Sequence, residues 1–161
     1  MCSAPTHAAT YERARRLANN AMWTVALQRR RLKTKEPEDD QFLFRIWADL
    51  QFLIVSLTRL RRSVGLAAKI PSLKTVIHEA LADFDKALPM LKEMRDAAEH
   101  IDDYAMDAGR NPRVRRQSLE VMVFDDPIFK WLHCELNVDV ALVAAQRLFK
   151  ALQQAQSLVS E

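Results

Sequence analysis

Apolar side chains recur along most of this chain in steps of three and four, the period of a helix that hides one face. From about Ala9 to Leu32, the residues Ala14, Leu17, Ala18, Ala21, Val25 and Gln28 fall on one side and predict a first helix. Thr34 to Asp40 holds Pro37 and four acids. It reads as a connector, with Asp39 or Asp40 capping the next helix. Over Asp40 to Val64 a sustained stripe appears: Leu43, Ile46, Leu50, Leu53, Leu57, Leu60 and Val64, widened by Trp47 and Ile54. Phe44, Phe52 and Val55 fall on roughly the opposite side. A helix apolar nearly all round is either central to a fold or shared with a partner.

Gly65 to Pro71 predicts a break, and Ser72 a cap. Leu73, Ile77, Ala80, Phe84, Ala87, Leu91, Met94, Ala98, Ile101 and Ala105 then keep one heptad phase. Pro89 interrupts this run and removes the hydrogen bond to the Asp85 carbonyl, so a kink or two abutting helices are expected. The preserved phase favours the kink. Gly109 supplies a helix C′ position, and Asn111-Pro112 confirms the stop.

The period changes after that. Leu119 to Val123 suits a strand, Asp125-Asp126-Pro127 a turn, and Trp131 to Leu136 a return strand. Residues 118–136 therefore read as a two-stranded hairpin, which must pack on the helices to be stable. Asp139 is expected to cap a last helix over about Val140 to Val159. The predicted fold is mainly all-α: a four-to-five-helix bundle in one domain, 1–161, with a small β-hairpin before the C-terminal helix. Residues 1–8 are expected to lack order. Trp23, Trp47 and Trp131 are expected in the core.

Composition agrees with that reading. Of 161 residues, 49% are hydrophobic and 28% charged, with only two glycines, Gly65 and Gly109. So little glycine suits helices better than a β-sandwich. Cys2 and Cys134 build no disulfide framework, which points to a reduced, cytoplasmic setting. The richest apolar stretch, Phe52 to Leu57, is far shorter than the ~20 residues of a membrane span. No membrane association is expected. Net charge is only +3. Arginines nevertheless cluster at 13/15/16, 29/30/31, 59/61/62 and 110/113/115/116. Such clusters meet phosphates, or else serve as helix ends and solvated faces.

Most catalytic chemistries find no footing here. His7, His78, His100 and His133 are scattered, and no HExxH, Glu-x-x-His, Walker or GxSxG motif is present. His133 and Cys134, adjacent in a predicted strand, should point to opposite faces. No metal and no cofactor are expected, and Cys134 reads as an inert, buried thiol. The unusual stretch is Met94 to Tyr104, where Arg95 pairs with Glu99 and Asp96 with His100 one helical turn apart. On an ideal helix Arg95 and His100 stand about 140° apart on the polar side. Asp96 is placed to orient His100.

The hexad Arg95-Asp96-Ala97-Ala98-Glu99-His100 resembles the Arg-x4–6-His signature of HEPN domains, with a polar residue directly after the arginine and a position late on a long helix of a bundle. The resemblance implies a helical bundle, often dimeric. Many members are metal-independent endoribonucleases of toxin–antitoxin, abortive-infection or RNA-processing systems, and others are non-catalytic. It implies Arg95 and His100 as the catalytic pair, Asp96 as the supporting residue, RNA as substrate and a cognate regulatory protein as partner. The chemistry is coherent, because an imidazole transfers protons and an always-charged guanidinium clamps phosphate oxygens. Two readings stand beside it. One is a non-catalytic dimerising scaffold on the same fold, built on the two-sided second helix. The other is a nucleic-acid binder using Arg110, Arg113, Arg115 and Arg116.

Overall fold

The computed structural model describes residues 4–42 and 44–159. Thr6 caps the first helix, its hydroxyl accepting from the Ala9 amide at 3.2 Å, and α1 runs His7–Lys33. Order therefore reaches further toward the N-terminus than the expected disorder of residues 1–8 allowed. A short 3₁₀ turn at Pro37–Asp40 leads to α2, Phe44–Ala67. The stripe on α2 is the centre of the core: Leu50, Leu53, Ile54, Leu57, Leu60 and Val64 are all completely buried. Leu43, its expected first member, lies outside the described residues. The opposite side stays open, with Phe44 and Phe52 exposed.

Three helices surround α2. α1 packs along it antiparallel, and α3 (Lys74–Ala87) and α6 (Val138–Gln154) complete the bundle. Ion pairs tie its corners. Asp49, nearly buried, receives Arg31 at 2.7 Å and Arg45 at 3.1 Å, and Arg45 also holds Asp39 at 2.5 Å. Arg29, buried on α1, reaches Asp126 at 3.0 Å and Asp139 at 2.7 Å. Arg61 grips Asp85 with two bonds of 2.6 Å, joining α2 to α3. Much of the arginine clustering is thus spent on joining helices.

The third helical region is not one kinked helix. α3 stops at Ala87, and a new helix, α4, spans Leu91–Glu99. Leu88 has left the helical region, at φ −129° and ψ 60°. A residue before proline is kept out of the helical region by clash with the ring. A second break falls at His100 (φ −121°, ψ 35°), after which α5 covers Ile101–Ala105. The breaks shift the apolar phase: Ala97 and Tyr104 are buried, while Ile101, expected inside, is exposed. Gly109 does not serve as a left-handed C′ residue. That conformation falls on Asp107, at φ 56°.

The hairpin is a three-stranded antiparallel meander: β1 Met122–Asp125, β2 Ile128–Trp131 and β3 Cys134–Asn137. The expected return strand is split because Leu132 turns left-handed (φ 59°), so Leu132 and His133 form a tight turn. The peptide before Pro127 is cis. The sheet packs through Phe129 and Trp131 against Trp47, with ring centroids 6.4 and 5.2 Å apart. The Trp131 indole N–H donates to the Leu119 carbonyl at 2.9 Å. Trp23, by contrast, is 74% exposed and is not a core residue. Asn137, rather than Asp139, caps α6, its side chain accepting from the Asp139 and Val140 amides. Asp139 is engaged by Arg29 instead. No helix among the described residues is long and apolar enough to cross a membrane.

Candidate functional site

The motif residues gather at a cleft of about 680 Å³ between α4, α5 and the loop after them. Arg95, Asp96 and His100 line it together with Lys92, Tyr104 and Arg110. The loop is shaped by one close approach. A Cβ on Gly109 would lie 2.0 Å from the Tyr104 ring, so only glycine lets the chain pass over that ring. Tyr104, nearly buried, accepts a hydrogen bond from the Asn111 amide at 3.2 Å. Val114 and Leu119 anchor the rest of the segment in the core. Arg110, Arg113, Arg115 and Arg116 are left exposed along it.

The internal geometry of the motif differs from the helical expectation. Arg95 is mostly buried and bound by two carboxylates, Asp96 Oδ1 at 2.8 Å and Glu99 Oε2 at 2.5 Å. Its Nε is buried without a hydrogen-bond partner among the described residues. Asp96 does not orient His100. Its carboxylate holds Arg95 and, at 3.1 Å, Lys92. His100 instead stands in the helix break, its imidazole 60% exposed and 3.8 Å from Asp103. Ending α4 at Glu99 removes the fixed helical angle between Arg95 and His100. Arg116 comes within 3.5 Å of Asp107, a solvated contact worth little. Both Arg95 and Lys92 also face a smaller groove of about 380 Å³ that contains Arg61 and Arg62.

A second constellation had no signal in the sequence, because its members come from separate elements. Glu93 on α4, His133 in the β2–β3 turn and Cys134 at the start of β3 bring one ligand atom each to within 4.8 Å of one another. The strand alternation that should have sent His133 and Cys134 apart does not apply, since the strand ends at Trp131. His133 Nε2 is 2.7 Å from Glu93 Oε1, and the Asn111 side-chain amide donates to the same oxygen. Burial, and secondarily the Glu93 charge, pushes the Cys134 thiol up to about 11. Glu93 and Asn111 also line the cleft. Cys2, the other thiol, lies outside the described residues.

Compared with family models, with curated proteins and with solved structures, the chain matches none.

Proposed function

We propose that the cleft receives the sugar–phosphate backbone of RNA and that the protein is a HEPN-like, metal-independent endoribonuclease. The observation that carries the reading is the convergence of Arg95, His100, Lys92 and Arg110 on one cleft. The adjoining groove extends the basic track through Arg62. His100, exposed at the cleft, takes the proton of the 2′-hydroxyl as that oxygen attacks phosphorus. The bond to the 5′-oxygen breaks, that oxygen leaves with a proton taken from water, and a cyclic phosphate remains. Arg95 meets the charge that grows on the phosphoryl oxygens. To do so it exchanges Asp96 or Glu99 for phosphate, while the remaining carboxylate keeps it in place. A second copy of the chain would add a second Arg/His set. Arg110, Arg113, Arg115 and Arg116 hold the flanking phosphates, which makes binding salt-dependent.

The test is a gel assay of total RNA and tRNA with wild-type protein and the Arg95→Ala/His100→Ala variant, in EDTA. Cleavage by wild type alone is expected. Intact RNA after incubation with folded wild type refutes the enzymatic reading for these substrates.

A second reading has its own observation. Arg95 is already held by two carboxylates, and the α2 side carrying Phe44 and Phe52 is exposed, with Phe42 and Phe44 stacked 6.0 Å apart. These features favour a non-catalytic scaffold that dimerises through its apolar face. A monomer by sedimentation at high micromolar concentration refutes that version.

A further inference from the structure

We propose that Glu93, His133 and Cys134 form a binding site for one divalent metal ion of the zinc class, with a fourth coordination position open to solvent or a small ligand. A thiol, an imidazole and a carboxylate are the three donors that zinc accepts, and the thiol disfavours magnesium and calcium. Three protein ligands with one open position match zinc sites that bind water or substrate rather than closed structural ones.

The geometry is close to what such an ion needs. Tetrahedral bonds of about 2.0–2.3 Å place neighbouring donors roughly 3.5 Å apart. The three donor atoms already lie within 4.8 Å of one another, so closure takes about 1 Å of movement. That movement has an obvious source. Cys134 is fixed, being buried at the start of β3. His133 sits in a two-residue turn with its side chain about a third exposed, and Glu93 carries a rotatable carboxylate. The left-handed backbone of Leu132 is what places His133 over its neighbour rather than across the sheet from it. Asn111 donates to Glu93 from outside the trio and orients the carboxylate as an outer-shell partner does. On binding, the thiol gives its proton to solvent, the His133 nitrogen that takes the ion is freed of its proton, which moves to the other ring nitrogen or to solvent, and the carboxylate trades its contact with His133 for a bond to the same ion.

Bound metal would join α4 to the β2–β3 turn and fix the wall of the cleft that Glu93 and Asn111 contribute. This inference stands apart from the ribonuclease reading. EDTA removes the metal and leaves metal-independent cleavage, so either can fail alone.

The experiment is a titration of reduced, chelator-stripped protein with Co²⁺ followed by optical absorption, then displacement with Zn²⁺. A thiolate-to-cobalt charge-transfer band and tetrahedral visible bands saturating at one equivalent are expected, both abolished by Zn²⁺. Cys134→Ser should remove the charge-transfer band, and Cys2→Ser should leave it unchanged. His133→Ala, at an exposed turn that tolerates the change, should weaken binding more than ~100-fold, beyond the effect of an outer-shell partner. Asn111→Ala should weaken it by roughly tenfold. The proposal is overturned if no thiolate band forms. It is equally overturned if Cys2→Ser abolishes the band, or if His133→Ala and Glu93→Gln both bind like wild type.

Discussion

Replacing Gly109 by alanine tests how the cleft loop is built, because two physical effects predict opposite signs. Gly109 does not have a positive φ. On backbone grounds alone, alanine would restrict the unfolded chain and stabilise the protein by about 0.4–1 kcal/mol. The tertiary contact argues the other way. The new Cβ would fall 2.0, 2.2 and 2.5 Å from three carbons of the Tyr104 ring, whereas ordinary contact begins near 3.4 Å. The ring must retreat by more than 1 Å, yet it is only 6% exposed. Overpacking of this kind costs about 1–3 kcal/mol. Losing the hydrogen bond from the Asn111 amide adds about 1 kcal/mol. The net expectation is a loss of roughly 2–3 kcal/mol, read as a lower midpoint in urea unfolding. A double-mutant cycle isolates the cause. Once Tyr104→Ala has removed the ring, adding Gly109→Ala should cost less than ~0.5 kcal/mol, a coupling of about 2 kcal/mol. A Gly109→Ala protein as stable as wild type, or an equal cost with and without the ring, refutes the argument.

Charged, capping and aromatic positions elsewhere in the fold set five further outcomes. Asp39 is held at about 2, against an ordinary 3.8, by the Arg45 guanidinium first and the Glu36 amide second. A carboxylate with a depressed pKa stabilises the fold above its unfolded value and loses that contribution as pH falls. Asp39→Asn should therefore flatten the acid limb of a melting-temperature profile between about pH 4 and 2 and leave the alkaline limb unchanged. Asn137→Ala should destabilise by about 1 kcal/mol in denaturant unfolding by removing the α6 cap. Asp139→Ala keeps that cap but takes from the buried Arg29 guanidinium one of its two carboxylates, and should cost about 1–3 kcal/mol. Trp131→Phe strands the buried Leu119 carbonyl and should cost about 1–3 kcal/mol. Trp23→Phe, at an exposed site, should stay within ~0.5 kcal/mol.

The helical architecture and the buried face of α2 were legible in the residue pattern alone. Periodicity is local information, and the stripe from Leu50 to Val64 is buried because a 3.6-residue repeat has one geometric solution. The sheet's place before α6 was legible too, from the change of period and the Asp126-Pro127 turn. The Arg-x4-His spacing, through its resemblance to HEPN domains, singled out Arg95, Asp96 and His100, which line one cleft. Their pairing was settled by the fold. The helix ends at Glu99, so Asp96 turns to Arg95 and Lys92 and leaves His100 without it. Asn137 caps α6 because the helix begins at Val138, which leaves Asp139 inside its first turn, where Arg29 from α1 holds it. Glu93, His133 and Cys134 meet only because α4 packs against β3 and because Leu132 turns left-handed. Contacts between residues about forty positions apart depend on how the elements dock. No local spacing encodes that, and so the residue pattern named the helices while their docking chose the partners of the charged and ligating side chains.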